Sequence, residues 1–179
     1  MLDSHLHPRL KPLLNAVAGV LDRPGISPDG LTLVGFAIGV LALPFLALGW
    51  YGAALAAILL NRLLDGLDGA LARRRGLTDA GGFLDIALDF LFYALVPFGF
   101  ILADPLNNAL AGGWLLFAFI GTGSSFLAFA ALAARHQIAN PGYAHKSLYY
   151  LGGLTEGTET ILLFVLGCLF PAHFAWLAW

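Results

Sequence analysis

The sequence has 179 residues, of which 59% are hydrophobic and 11% are charged, and its formal net charge is −2. Since soluble domains carry about 25% charged residues, this composition excludes a soluble globular domain, a disordered tail and a nucleic-acid-binding protein. The single cysteine, Cys168, excludes a disulfide framework and a cysteine-based metal site. At roughly 20 residues per span, the chain is long enough for five or six transmembrane helices.

The predicted elements begin with a short amphipathic helix from His5 to Leu21, which we interpret as lying in the membrane interface. As an alternative, its basic residues are only an orientation signal. Five spans follow, at about 31–50, 53–75, 82–103, 110–134 and 148–170. Residues 171–179 are too few to cross the bilayer and resemble the start of a sixth span. The predicted fold class is therefore an all-α polytopic membrane bundle.

The basic residues predict the orientation of these spans. All nine lie before the first span, at the end of the second, or between the fourth and the fifth: Arg9, Lys11, Arg23, Arg62, Arg73, Arg74, Arg75, Arg135 and Lys146. The positive-inside rule places that side of the membrane, and the N-terminus, in the cytoplasm, with a bacterial inner membrane as the expected location. We expect one membrane domain over 1–179, with 1–30 as its cytoplasmic or interfacial segment and 53–103 as the helices that carry the site.

Acidic residues are concentrated where the second span ends and the third begins. The second span ends in NRLLDGLDGALARRRG, and a helical wheel places Asp65, Asp68 and Arg73 on one face. The third begins GGFLDIALDF, which places Asp85 and Asp89 on one face, four residues apart. A connection of a few residues makes these helices antiparallel neighbours. We therefore expect four carboxylates to converge at the cytoplasmic boundary.

Four carboxylates in a poorly solvated site must be protonated or neutralised by cations. Oxygen ligands of this charge favour Mg²⁺ or Mn²⁺, with two ions as the expected number. Small residues beside the acids are expected to leave room for a phosphate, which Arg73 can bind: Gly66, Gly69, Ala72, Gly81 and Gly82. The alternative, that the aspartates merely pair with nearby arginines, explains four acids at these spacings less well.

This pattern resembles the signature of the CDP-alcohol phosphotransferases, integral membrane enzymes of phospholipid synthesis. The chain reads Asp65-x-x-Asp68-Gly69-x-x-Ala72-Arg73 and then Gly81-x-x-x-Asp85-x-x-x-Asp89. The loop between Arg73 and Gly81 has seven residues, where the family usually has eight. Ser27-Pro28-Asp29-Gly30-Leu31-Thr32 resembles the family's Pro-Asn-x-x-Thr segment, with Asp29 in place of the asparagine. The spans and the helix before them also fit the family's layout of six membrane helices plus an interfacial one, except that only the start of the sixth span is seen here.

The resemblance implies transfer of a substituted phosphoryl group from a CDP-linked donor, such as CDP-diacylglycerol, to an alcohol, with release of CMP. It implies that Asp65, Asp68 and Asp85 hold the metal on the pyrophosphate. It also implies that Asp89 is the general base and a further metal ligand. The residues implied on the nucleotide and phosphate side are Gly69, Ala72, Arg73, Gly81 and Thr32.

The candidates for the acceptor side are Arg135, Lys146, Glu156 and Glu159. The two cations suit a phosphorylated acceptor, and the two glutamates form a polar patch with threonines inside the fifth span. Orientation charge and a hydrogen-bond network between helices are the respective alternatives. The expected partners are the CDP-linked lipid donor, the alcohol acceptor and the bilayer, with no nucleic acid and a homodimer as a candidate assembly.

Two other functions compete with the transferase. A small cation or proton transporter also uses intramembrane acids, but its acids would be expected nearer the bilayer midplane and often in repeated segments. Here the signature acids lie at one end of the spans and the sequence has no internal repeat. A catalytically inactive membrane scaffold of the same fold is disfavoured because all four signature acids are present.

Overall fold

The helices of the protein follow the predicted order in the computed structural model, which describes residues 3–136 and 157–179. They are α1 (Asp3–Leu21), α2 (Pro28–Val40), α3 (Ala42–Ala47), α4 (Tyr51–Arg75), α5 (Asp79–Ala103), α6 (Pro105–Arg135), α7 (Gly157–Leu169) and, after a 3₁₀ turn at Pro171–His173, α8 (Phe174–Ala178). Within the described residues, three segments are long and apolar enough to cross a membrane: Pro28–Ala47, Asp79–Ala103 and Pro105–Ala133. The prediction of an all-α polytopic bundle is confirmed.

The first predicted span is two helices rather than one. Ser27 caps α2, because its hydroxyl oxygen accepts a hydrogen bond from the Gly30 amide at 3.0 Å. The helix is interrupted at Leu41, and α3 then runs to Ala47. Pro44 explains the interruption, since proline has no amide hydrogen and its ring conflicts with the carbonyl four residues earlier. The predicted span at about 31–50 therefore corresponds to one apolar segment, Pro28–Ala47, that contains a break at Leu41.

The two helices that carry the acidic motif are joined by three residues. Gly76 ends α4 with a φ of +103°, a conformation that favours glycine. Thr78 then caps α5, its hydroxyl oxygen accepting from the Gly81 amide at 3.0 Å. This short connection makes α4 and α5 antiparallel, so that the end of α4 lies beside the start of α5. Both helices have 25 residues, and α5 continues through Pro97 without a break.

The apolar core occupies the other half of α4 and α5, away from their connection. Its largest fully buried side chains are Phe92, Phe100, Phe164, Phe174, Leu46, Ile58 and Val96. The Phe100 and Phe174 rings stack with their centres 4.2 Å apart, which joins α8 to α5. The predicted fifth span starts outside the described residues, and its later part forms α7. Both α4 and α5 pack on α2 and α3, so the core holds α4 and α5 through these shared neighbours.

Helix α1 packs against the polar end of α4. Leu14 lies 3.1 Å from the point where a side chain at Gly66 would begin, whereas Leu13 and Val20 are exposed. After α1, Asp22 Oδ1 accepts a hydrogen bond from Arg75 Nε at 2.8 Å. This contact with Arg75 holds the pKa of the Asp22 carboxyl below its usual value of 3.8. The predicted helix is present, and its location in the membrane interface stays a prediction.

Candidate active site

Three acids of the motif form a close group at the paired ends of α4 and α5. Asp65, Asp68 and Asp85 each offer a carboxylate oxygen within 4.8 Å of the other two. The first two lie one turn apart on α4, and Asp85 faces them from α5 across the three-residue connection. The burial of the three is unequal, since Asp68 is 3% exposed while Asp85 is at the surface. The spacing of the acids along α4 and α5 thus brings these three side chains together.

The buried acid Asp68 is held by a hydroxyl from α2. Thr32 Oγ1 lies 2.5 Å from Asp68 Oδ2 and 3.1 Å from the Pro28 carbonyl oxygen. The family resemblance implied that Thr32 lies on the nucleotide side. In this structure its hydroxyl contacts the Asp68 carboxylate. A helix wheel for α4 alone could not show this contact, because Thr32 belongs to a different helix.

The fourth acid, Asp89, is engaged by an arginine. Its Oδ1 accepts a hydrogen bond from Arg62 Nη2 at 2.8 Å, and Arg62 Nη1 lies 3.6 Å from Asp65 Oδ2. Among the described residues, the group of three close carboxylates does not extend to Asp89. From the sequence, Arg62 was only one of several arginines that could pair with the acids. Its position one turn before Asp65 was the available signal for a role inside the site.

The small residues of the motif have different neighbours. Arg73 Nη1 lies 3.3 Å from the point where a side chain at Gly69 would begin, so the Arg73 guanidinium folds back over the glycine. A side chain at Gly81 would begin 3.0 Å from Asp29 Oδ1, so this glycine lets the start of α5 approach α2. Ala72 lies on α4 one residue before Arg73 and is half-buried.

Two of the small residues have neighbours outside the acid group. Gly66 packs against α1, as described above. Gly82 lines an apolar groove of about 370 Å³ between α5 and α6, together with Asp79, Phe83, Ile86, Ala87, Phe90 and Leu127. Leu14 thus occupies the space at Gly66, whereas the expectation that Gly82 leaves room for a phosphate stays a prediction.

A small cavity lies among the acids. Its volume is about 10 Å³, which is the space for a group the size of one water molecule. Its walls are formed by Thr32, Gly35, Phe36, Asn61, Arg62, Asp65, Asp68, Asp85, Leu88 and Asp89. Carboxylate and hydroxyl oxygens dominate its polar lining, and hard divalent cations prefer such ligands. The donor set therefore fits Mg²⁺ or Mn²⁺.

The acceptor-side candidates are distributed more widely. Arg135 is exposed at the end of α6, and Glu159 is in the first turn of α7. Of these two described residues, neither lines the small cavity. Lys146 and Glu156 lie outside the described residues.

Comparison with known proteins assigns the whole region from α2 onwards to one family. The family model described as CDP-alcohol phosphatidyltransferase matches residues 26–179. The inner membrane protein YnjF of Escherichia coli strain K12 is 88% identical over 175 residues, covering 98% of this chain and 85% of that protein.

Two more distant relatives carry names that state a reaction. The archaetidylinositol phosphate synthase of Pyrococcus horikoshii is 31% identical over 174 residues, covering 94% of this chain and 83% of that protein. The phosphatidylinositol phosphate synthase of Mycobacteroides abscessus is 30% identical over 172 residues, covering 90% of this chain and 70% of that protein.

Proposed function

Since this chain belongs to the CDP-alcohol phosphatidyltransferase family and is a phosphotransferase of the inner membrane, we propose that it transfers a phosphatidyl group from CDP-diacylglycerol to a phosphorylated alcohol. The observation that carries the proposal is the group of three carboxylates within 4.8 Å at the paired ends of α4 and α5. The names of the two distant relatives make inositol phosphate the first acceptor to test. Arg135 and Lys146 are candidate cations for its phosphate, and Glu156 and Glu159 are candidates for its hydroxyl groups.

In this reaction the acceptor oxygen bonds to the phosphatidyl phosphorus. The bond from that phosphorus to the bridging oxygen of the pyrophosphate breaks, and its electron pair leaves with CMP. Asp89 accepts the proton of the acceptor hydroxyl, which makes the oxygen a better nucleophile. The position of Asp89 supports this role, because it lies one turn beyond Asp85 along α5 and its carboxylate is held by Arg62.

Asp65, Asp68 and Asp85 would hold a divalent cation beside the pyrophosphate, with Asp89 as the further ligand if two ions bind. The chemistry that such a cation would supply is stabilisation of the negative charge on the phosphoryl oxygens and on the departing CMP. Thr32 orients Asp68 through its hydroxyl. Arg73, folded over Gly69, is available to a phosphate of the nucleotide, and Ala72 and Gly81 are the other small residues proposed on that side.

The proposed arrangement in the membrane follows the basic residues. The N-terminus, the α4–α5 connection and the site face the cytoplasm, where CMP is released, and residues 1–30 lie at that surface. The whole of 1–179 acts as one membrane domain. A homodimer is the assembly to test first.

Purified protein in lipid nanodiscs with CDP-diacylglycerol and Mg²⁺ tests the proposal through CMP release. Separate reactions contain inositol phosphate, glycerol phosphate, serine, choline or phosphatidylglycerol. We expect CMP release with a phosphorylated alcohol and loss of that release in Asp85→Asn. Release only with serine, choline or phosphatidylglycerol, which lack a phosphate monoester, would contradict the proposed acceptor class. No release with any acceptor would contradict the transferase.

A further inference from the structure

Arg62 is the centre of a largely buried polar cluster beside the acids. Its side chain is 15% exposed, its Nη2 donates to Asp89 at 2.8 Å, and its Nη1 lies 3.6 Å from Asp65. Nη1 is also 3.4 Å from the Tyr93 hydroxyl oxygen, and the guanidinium carbon is 4.4 Å from the centre of the Phe92 ring. One cation therefore contacts an acid on each of the two helices that carry the site.

The guanidinium is also fixed through the interior of the bundle. Arg62 Nε donates to Asn61 Oδ1 at 2.8 Å, and Asn61 Nδ2 donates to the Gly35 carbonyl of α2 at 2.9 Å. Asn61 is 3% exposed, so this chain of hydrogen bonds joins α2, α4 and, through Asp89, α5 within the protein. Arginine presents five donors in fixed directions, which a lysine ammonium group cannot match. Arg62 could not follow a moving substrate without losing several of these contacts.

Building on the proposed function, we propose that Arg62 is a positioning residue, which holds the Asp89 carboxylate towards the acceptor and supplies the fixed positive charge of the acid cluster. Charges a few ångströms apart interact strongly where water is scarce. Removing the charge of Arg62 therefore increases repulsion among the acids and makes them bind an external cation more tightly. Removing one partner of a buried ion pair leaves the charge of the other partner uncompensated. Removing both partners leaves no such charge.

The pairing is tested first without metal or turnover, by thermal unfolding of the full chain in EDTA. We expect Arg62→Gln to lower Tm by about 5 °C or more, and the added change Asp89→Asn to recover most of that loss. Losses that simply add in the double variant would overturn the pairing. If Arg62→Gln is not recovered folded, folding of the double variant supports the pairing, and its failure to fold contradicts it.

The fixed charge is tested by titrating Mn²⁺ and measuring free ion by electron paramagnetic resonance. The matched control is Arg74→Gln, because Arg74 is on the same helix but exposed and paired with Asp22 at 3.4 Å. We expect Arg62→Gln to bind Mn²⁺ at least about tenfold more tightly than the wild type, with Arg62→Lys and Arg74→Gln unchanged. Unchanged binding in Arg62→Gln would overturn the role of Arg62. If the wild type binds no Mn²⁺, the proposed function fails instead, and the EDTA experiment still decides the pairing.

The positioning role is tested by comparing kcat with KM. Arg62→Lys keeps the charge but loses the fixed directions of the guanidinium donors. We expect its kcat to fall by about 10- to 100-fold, while KM for CDP-diacylglycerol stays within about twofold. A kcat equal to that of the wild type would overturn the positioning role.

Discussion

At the scale of residues, the four acids of the motif are compensated in different ways. Asp68 is buried against the Thr32 hydroxyl, Asp89 is paired with Arg62, and Asp85 is exposed at the start of α5. Ionisable groups inside membrane proteins are expensive unless such partners are present. The acids therefore have different surroundings that their spacing in the sequence does not reveal, and we expect different consequences when each acid is replaced.

Replacing Asp89 separates proton transfer from donor binding. We expect Asp89→Asn to reduce kcat by about 10²–10⁴-fold, the usual worth of a general base. Its affinity for CDP-diacylglycerol in Mg²⁺ should stay within a few-fold of the wild type, because Asp65, Asp68 and Asp85 are retained. The measurements are single-turnover CMP release and equilibrium binding of the labelled donor. Asp85→Asn is the comparison, since it should lose both; equal losses in the two variants would mark Asp89 as primarily a metal ligand.

At the scale of elements, α2 approaches α4 and α5 closely because Gly39 has no side chain. A Cβ there would lie 2.9 Å from both Asn61 Nδ2 and a Phe92 ring carbon. Both neighbours are buried, and Asn61 is also bonded to the Gly35 carbonyl, so neither can move away freely. This contact sets the distance between the helices that carry Thr32 and Arg62.

Gly39→Ala is therefore expected to destabilise the fold by about 1–3 kcal/mol, as overpacking of a tight interior does. Thermal unfolding in detergent measures the change. Gly113→Ala is the matched control, because a Cβ on Gly113 of α6 would meet nothing within 4 Å. The control should be neutral or slightly more stable, since alanine favours a helix over glycine. A Gly39→Ala protein as stable as the control would contradict the close packing of α2.

The contact between Asp22 and Arg75 predicts a pH effect on how the end of α1 is held to α4. The pKa of Asp22 is lowered in the folded protein, so this contact stabilises the fold above the unfolded pKa, near 3.8, and that contribution is lost as the pH falls through the lower folded value. We expect Asp22→Asn to have a lower Tm than the wild type at pH 7, and this difference to shrink as the pH is lowered below 3.8. A difference that stays constant as the pH is lowered would contradict this origin.

The sequence predicted best those features that depend on the residue spacing within a single helix. The acid spacings of α4 and α5 placed Asp65, Asp68 and Asp85 together, and the short connection made the helices antiparallel. The break before Pro44 was not predictable from proline alone, because α5 continues through Pro97. The contacts of Thr32 and Arg62 were also missed, since a wheel gives the angle of a residue but not the side chain that meets it from another helix.

At the scale of the whole molecule, the bundle has an apolar half and a polar end. The core phenylalanines hold α5, α7 and α8 together, whereas the acids, Arg73 and the Asp22–Arg75 contact lie towards the α4–α5 connection. An active site at one end of such a bundle can meet a lipid donor from the bilayer and a polar acceptor from water. This arrangement requires the polar end to face one aqueous compartment.

Single cysteines test that orientation in a Cys168→Ala background. We expect cysteines replacing Arg23 and Leu77 to react with an impermeant thiol reagent only when it reaches the cytoplasmic side. A cysteine replacing Asn107, at the opposite end of α5 and α6, should react only from the other side. The assay uses inverted and right-side-out inner-membrane vesicles. Labelling of Leu77→Cys and Asn107→Cys from the same side would contradict the arrangement of the spans.

In the proposed function, the group of three carboxylates binds the CDP-linked donor through a divalent cation. Binding of labelled CDP-diacylglycerol to the protein in nanodiscs, measured in Mg²⁺ and in EDTA, tests it most directly. We expect the wild type to bind in Mg²⁺ and to lose most of that affinity in EDTA, and Asp65→Asn to bind weakly in both. Equal affinity of the wild type in Mg²⁺ and in EDTA would contradict the claim.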